Sequence, residues 1–284
     1  MKSSLKTLAA SLSRALPKTH FFDMLLARAA FLSRLGRLPK ARGGTFPDFL
    51  FQMKLNRTLE EPLRRQVSDK EHVKSFISDK LGDAFNVPTL AILRSEEEID
   101  CYEFPNRCCI KPSHASGQVI LRKNGEAIDR DRLKNWLLLN YYDKGRERNY
   151  KDLARKILVE PLIFDSVENE DLKFFCFNGR AKMIQIDHGR FSDHRRLYLT
   201  PDWQVLPFSI LKPQLEWVPE RPSNLDKLLN VAQTLARAFS FIRVDLYTDG
   251  ETVYVGELTN MPEAGFTKFI PRSAEALATK LILN

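Results

Sequence analysis

Two dipeptides constrain the fold of this chain more than any other feature. Asn178-Gly179 separates the apolar runs Leu172 to Phe177 and Ala181 to Ile186, and Asp249-Gly250 separates Phe241 to Tyr247 from Thr252 to Leu258. Asn-Gly and Asp-Gly tolerate the positive φ angles of a tight hairpin, so each pair predicts two adjacent antiparallel strands. Helical periodicity fills the intervals: Phe49, Leu50, Met53 and Leu55; a segment capped by Ser68-Asp69 and stopped at Gly82; Asp129 to Tyr142; and Asn224 to Ala238. Shorter strands are expected at Val87 to Leu93, Cys108 to Lys111 and Lys156 to Ile163. Hairpins alternating with helices predict an α+β fold around antiparallel sheet.

With 284 residues, 43% of them hydrophobic, the chain can bury one sizeable core or two modest ones. It has no apolar run of about 18 residues, so no membrane span is expected. The four cysteines match neither a zinc spacing nor an even disulfide framework, which suits a reducing, cytoplasmic setting. The net charge of +8 is concentrated at one end. Before Thr45 there are nine basic residues and one acid, Asp23, while the 35 basic and 35 acidic residues of the remainder cancel. The body therefore has no net electrostatic claim on nucleic acid.

In that basic segment Leu5, Leu8, Leu12 and Leu16, then Phe21, Phe22, Leu25, Ala29, Leu32 and Leu35, recur at helical spacing on either side of Pro17. A basic amphipathic arm can lie on an anionic membrane surface or pack on protein. Charges interrupt every candidate secretory h-region, whereas an organellar presequence stays compatible with the composition. Gly43-Gly44 is the expected linker. The organisation read from this is a helical arm at 1–44, an N-terminal lobe at 45–110 and a main domain at 111–284, the last divided near 162/163.

The common nucleotide, zincin and hydrolase signatures are missing: there is no G-x-x-x-x-G-K-[ST], G-x-G-x-x-G, H-E-x-x-H or G-x-S-x-G. Four other elements carry chemistry. In Arg243-Val-Asp245 and Gly256-Glu257-Leu-Thr259, alternation places Arg243 and Asp245 on one strand face. Glu257 joins that face if an odd-length loop pairs Tyr247 with Val253, which sets Glu257 opposite Arg243 and diagonal to Asp245. The outcome is either a salt bridge between Arg243 and Glu257 or two carboxylates converging on a hard cation such as magnesium. Lys111, followed by Pro112-Ser113-His114-Ala-Ser116-Gly117, is either a solvated strand exit or a phosphate-binding lysine and loop. Glu160, on the apolar strand Ile157 to Ile163, is a rim residue or a buried acceptor for an exocyclic amine. The run His188 to Arg196 is an exposed basic turn or a lid over an anion.

In this order the elements resemble the TupA-like ATP-grasp family, associated with cell-surface polysaccharide and teichuronopeptide synthesis. The resemblance runs from about Phe46 to the C-terminus. It rests on Asp69-Lys70, Lys111 with its loop, Asn140-Tyr-Tyr, Asp171-Leu-Lys-Phe-Phe-Cys-Phe-Asn-Gly179, Ile184-Gln-Ile-Asp187 with Arg190-Phe191, Asp202-Trp-Gln-Val-Leu-Pro-Phe208, Arg243-Val-Asp245 and Gly256-Glu-Leu-Thr259. It implies an ATP-grasp fold in which two α+β subdomains with antiparallel sheets grip ATP. Residue by residue it implies Lys111, Ser113, His114, Ser116 and Gly117 on the phosphates, Glu160 and Leu162 on adenine, and Asp171 on the ribose. It further implies Mg2+ on Asp245, Glu257 and Thr259, with Arg243, Lys173 and Arg190 as catalytic residues. Thr259 stands where many ATP-grasp enzymes have Asn, and Asn260 is one step late.

The activity implied is a carboxylate–amine ligase working through an acyl phosphate. The alternatives are a sugar kinase using the same site, or a non-catalytic ATP-binding partner of a polysaccharide assembly complex. The substrates implied are ATP and a uronic or amino acid, free or linked to glycan or lipid, with the arm holding the enzyme at the inner membrane face.

Overall fold

The computed structural model describes residues 16–164, 171–189 and 193–284. Its helices are α1 (His20–Leu35), α2 (Phe46–Leu55), α3 (Pro62–Gln66), α4 (Val73–Leu81), α5 (Glu96–Cys101), α6 (Arg130–Leu138), α7 (Tyr142–Gly145), α8 (Leu225–Ala236) and α9 (Glu275–Leu283). Its strands are β1 (Ala91–Leu93), β2 (Cys108–Pro112), β3 (Ile120–Arg122), β4 (Ile157–Glu160), β5 (Leu172–Phe177), β6 (Arg180–His188), β7 (Arg195–Leu199), β8 (Ser209–Ile210), β9 (Phe241–Thr248), β10 (Val253–Thr259) and β11 (Phe269–Ile270). They form a four-stranded sheet ordered β1-β4-β2-β3, a five-stranded sheet ordered β10-β9-β5-β6-β7, and a β11-β8 ribbon. Every ladder is antiparallel, as the hairpin signals predict.

Both hairpins form where expected, and at the first, Asn178 and Gly179 adopt φ of 48° and 76°. The short strands shrink: β1 begins at Ala91 rather than Val87, and β4 ends at Glu160 rather than Ile163. Helix α4 starts at Val73, because Asp69 caps a preceding turn through the Glu71 and His72 amides.

Alternation gives the large sheet two unlike faces. Phe174, Cys176, Ile184, Ile186, Ile242, Val244 and Leu246 form one face, buried under α8 and α4 in a single apolar cluster. On the other face Phe175, Met183, Tyr198 and Phe241 pack beneath α2 and α9 at one end. Toward the opposite end the same face turns polar, with Lys173, Gln185, Asp187, Arg243 and Asp245. The small sheet repeats the pattern: Cys108, Ile110, Ile157 and Val159 join α5 and α6 in a core, while Lys111 and Glu160 stand on the other face.

Two expected boundaries do not hold. The division at 110/111 falls inside β2, and β1 and α5 belong to the same sheet and core as β2 and β4. The Gly43-Gly44 linker does not set a free arm apart. Ala27, Phe31 and Leu35 of α1 pack on Phe51 of α2 and on Phe266, and Arg37 grips Asp48 through two hydrogen bonds of 2.8 and 2.9 Å. The leucine pattern at Leu5, Leu8 and Leu12 lies outside the described residues.

The one acid of the basic segment explains why α1 is docked. The buried Asp23 carboxylate accepts hydrogen bonds from the Tyr142 hydroxyl at 2.6 Å, Arg146 at 2.9 Å and Arg148 at 2.9 Å. Arg148 continues to Glu60 at 2.6 Å. One residue thus ties α1 to the segment 142–148, which borders the polar face described next.

Candidate active site

Glu257 stands directly across from Asp245 on adjacent strands, and Thr259 directly across from Arg243. The expected route to that placement was wrong. Thr248 pairs with Val253, enclosing an even, four-residue loop, and this register by itself would turn Glu257 to the apolar face. A β-bulge between Val255 and Glu257 adds one residue and reverses the parity. Gly256 is that residue. A Cβ there would lie 2.4 Å from the Tyr247 ring, so the site geometry depends on a residue without a side chain.

Arg243 donates two hydrogen bonds of 2.7 Å to Asp245 and one of 3.0 Å to the Thr259 hydroxyl, which in turn donates to Glu257 at 2.9 Å. The guanidinium therefore pairs with Asp245, not with Glu257 as in the salt-bridge alternative. Burial raises the Asp245 pKa and the neighbouring Arg243 and Lys173 only partly offset it. Burial also opposes ionisation of Glu257, yet Lys70 and Arg243 outweigh it and hold that carboxyl below its ordinary value. Asn260 takes no part: its side chain is buried and exchanges hydrogen bonds with Arg64 at 2.9 and 3.0 Å. Strand alternation makes Thr259, not Asn260, the residue on the site face.

The small sheet and the start of α4 supply the cations. The Lys111 ammonium lies 2.5 Å from one Glu160 oxygen, and Lys74 of α4 lies 2.7 Å from the other. Burial disfavours the Lys111 charge, but Glu160 and the more distant Glu257 raise its pKa well above the ordinary value. Lys70 donates to the Ala115 carbonyl at 2.5 Å and is influenced by Glu257, Lys111 and Glu160 together. Lys70, in the turn before α4, and Lys111 of β2 thus both act electrostatically on Glu257 of β10. Of these, Lys74 escaped sequence reasoning altogether and Lys70 was noted only as a family marker. Lys70 lies in the turn that precedes α4 and Lys74 in the first turn of that helix.

Other expected residues are placed differently. Ser113 is fully buried and donates to Asp69 at 2.7 Å. The His114 ring is held between the Trp136 carbonyl at 3.1 Å and the Lys156 amide at 3.3 Å. Both side chains belong to the interior, so the accessible part of the expected phosphate loop begins at Ser116 and Gly117. Ser113 completes the hydrogen bonding of Asp69, which forms a buried ion pair with Lys156 at 2.8 Å, and His114 accepts from the Lys156 backbone amide. Leu162 lies just past β4, half-buried beside Glu160. Lys173 bridges Asp171 at 2.6 Å and Asp187 at 3.2 Å. Arg196, expected in an exposed basic turn or a lid, is instead buried in β7 against Asp187 and Glu263, each at 2.7 Å. Arg190 lies outside the described residues.

Among the described residues no three His, Cys, Asp or Glu side chains converge as a metal cage. Two opposed carboxylates and a hydroxyl are nonetheless a hard-oxygen donor set. They fit a cation that completes its shell with water and phosphate oxygens, as magnesium does. Asp245, Glu257 and Thr259 are the residues that would hold it.

Residues 50–283 match the TupA-like ATPgrasp family, and the chain belongs to it. Its architecture is accordingly the ATP-grasp fold. Among solved structures, the chain is similar to the D-alanine–D-alanine ligase of Bacillus anthracis, at 19% identity over 77% of this chain and 64% of that one, with a TM-score of 0.42. It is also similar to the L-amino acid ligase of Bacillus licheniformis, at 15% identity over 84% and 54%, with a TM-score of 0.43. The chain spans less than two thirds of the length of these proteins. Comparison with curated proteins gives no match.

Proposed function

We propose that this chain is an ATP-dependent carboxylate–amine ligase of cell-surface polysaccharide biosynthesis. The observation that carries the reading is the bulge-enforced pairing of Asp245 with Glu257, flanked by Arg243 and faced by Lys70 and Lys111. Acyl-phosphate formation from ATP concentrates negative charge on the transferred phosphoryl group, and preset cations in a dry site are what that step needs. Lys111 and Lys70 receive phosphate oxygens, and Arg243 neutralises charge on the transferred group and the acyl intermediate. Glu160 and Asp171 recognise the nucleoside. Magnesium, held by Asp245, Glu257 and Thr259, would neutralise phosphate charge. No protein nucleophile is required, because the chemistry is positioning and electrostatics.

On the exposed side of α1, Phe21, Leu25 and Leu32 stand among Arg28 and Arg34. That combination supports peripheral contact with an anionic cytoplasmic membrane surface, where each basic residue adds about 1 kcal/mol. The test of the catalytic reading is incubation of the purified chain with ATP, magnesium and panels of uronic and amino acids, followed by mass spectrometry. An amide together with ADP supports the ligase. A stable phosphate ester, or tight ATP binding without ADP release, overturns it.

A further inference from the structure

His194, at the entry to β7, belongs to the polar face of the large sheet and is used by no step above. Its Nε2 lies 3.0 Å from an oxygen of Asp187, a carboxylate whose side chain is only 1% exposed. The Gln185 amide, Lys173 and Arg196 also donate to Asp187, which holds it ionised. An ionised carboxylate only accepts hydrogen bonds, so the ring proton sits on Nε2 and the free lone pair on Nδ1. Nδ1 has no hydrogen-bond partner among the described residues, and the side chain is 17% exposed. His114 is the contrast, because the interior occupies both of its nitrogens. An imidazole oriented by a carboxylate, with its other nitrogen open, is the arrangement of a general base.

Two polar contacts lead from this ring to the candidate metal pair. Asp187 binds Lys173 at 3.2 Å, and Lys173 stands directly across from Asp245 on the neighbouring strand. Cα atoms so paired lie about 4.5 to 5.5 Å apart. Asp187 in turn pairs with Arg196 across β6 and β7, two residues after His194, so alternation keeps all of these groups on one face.

The charges around the ring favour a proton on it. Lys173 is shared between Asp187 and Asp171, and Arg196 between Asp187 and Glu263. Asp193, its neighbour in sequence, pairs with Arg195, and Arg195 with Glu216. Among the described residues, the three carboxylates and two cations of the Asp187 network leave one negative charge, which a protonated His194 balances.

Amide formation needs such a group. An amine with a pKa of roughly 8 to 10 is an ammonium ion at neutral pH, and an ammonium has no lone pair with which to attack an acyl phosphate. We propose that His194, oriented by Asp187, is the general base that takes a proton from the attacking ammonium. The inference rests on the ligase reading and deepens it. One ammonium proton passes to Nδ1. The nitrogen lone pair forms the C–N bond as the acyl C–O bond breaks. Phosphate leaves with that electron pair and takes a second proton from the nitrogen. The partly exposed ring then returns its own proton to solvent.

The experiment supplies the full chain with ATP, magnesium and the acid panel, and with two kinds of amine. Hydroxylamine is already neutral at pH 7 and captures an acyl phosphate as a hydroxamate without a base. The amines of the panel are ammonium ions at that pH. His194→Gln is expected to form hydroxamate within about twofold of the parent, while its amide formation falls by about 100- to 10,000-fold, the usual share of a general base. Hydroxamate formation also establishes that the variant is folded. Its remaining amide rate is expected to climb about tenfold per pH unit above pH 7, following the free amine, where the parent levels off. Added imidazole is expected to restore part of the amide rate to His194→Ala and to leave the parent unchanged. Equal losses of hydroxamate and amide mean a structural role and overturn the proposal. If both products survive in His194→Gln, the ligase stands and the base falls. If the parent releases no ADP with any acid, the ligase reading falls and takes the base with it.

Discussion

Glu257 faces Asp245 across two adjacent strands only because Gly256 bulges between Val255 and Glu257. A two-residue side-chain period means that removing the extra residue moves Glu257 to the apolar face that packs on α8. Gly256→Ala brings a methyl into the Tyr247 ring, which must then shift. The expected cost is about 1–3 kcal/mol, the usual range for overpacking, with a larger loss of ATP-dependent turnover as Glu257 is displaced. Thermal unfolding together with ADP release measures both. Truncating the obstacle, in Gly256→Ala with Tyr247→Ala, should return part of each. A double variant no better than the single one places the constraint elsewhere.

The Arg243–Asp245 pair predicts different outcomes for stability and for chemistry. Removing one partner of a buried pair leaves an uncompensated charge, so Asp245→Ala should lose about 3–5 kcal/mol as well as all turnover. Glu257→Gln retains its size and can still accept from Thr259, so it should unfold within about 1 kcal/mol of the parent while losing turnover. Denaturant unfolding with a parallel ADP assay separates the two. Full turnover in Glu257→Gln would remove this residue from the site.

The extent to which this site was legible follows from its physics. Strand alternation is local, so Arg243 and Asp245 on one face, and both hairpin turns, could be read directly from the sequence. Register past the turn could not be read, because loop length and bulge together decide parity; a lone glycine within a strand was the signal for the bulge. Ser113 and His114 looked like loop residues because their buried partners, Asp69, Lys156 and Trp136, are remote in sequence. Whether the arm meets lipid or protein stayed open in the sequence because charge dominates its composition. Yet Asp23, Ala27, Phe31 and Leu35 recur every four residues and mark the buried face.

The docking of α1 through Asp23 predicts a local effect. Asp23→Asn keeps the shape but removes the charge that Arg146 and Arg148 share. Hydrogen exchange should quicken in α1 and across residues 142–150 together, with α8 and β9 unchanged, because the cores differ. Stability should fall by about 3 kcal/mol or more, as expected for breaking a buried pair. If exchange quickens in α1 alone, Asp23 does not order residues 142–150.

Glu160 supplies the acid-side test. Burial raises its pKa, but Lys111 and Lys74 outweigh burial and hold it below the ordinary 4.5. The folded state therefore binds this proton more weakly than the unfolded state does. The resulting stability is fully present above about pH 4.5 and is lost as pH falls through the lower folded value. Glu160→Gln should lower stability at neutral pH, since it leaves two partly buried ammonium groups sharing no carboxylate. It should also flatten the decline below pH 4.5, where the parent is losing the same interaction. Lys74→Met keeps the Lys111 contact and should show a smaller version of both effects. Denaturant midpoints from neutral pH down to about pH 3 measure these slopes, and parallel curves for parent and Glu160→Gln would mean that the two lysines do not set this carboxylate's ionisation.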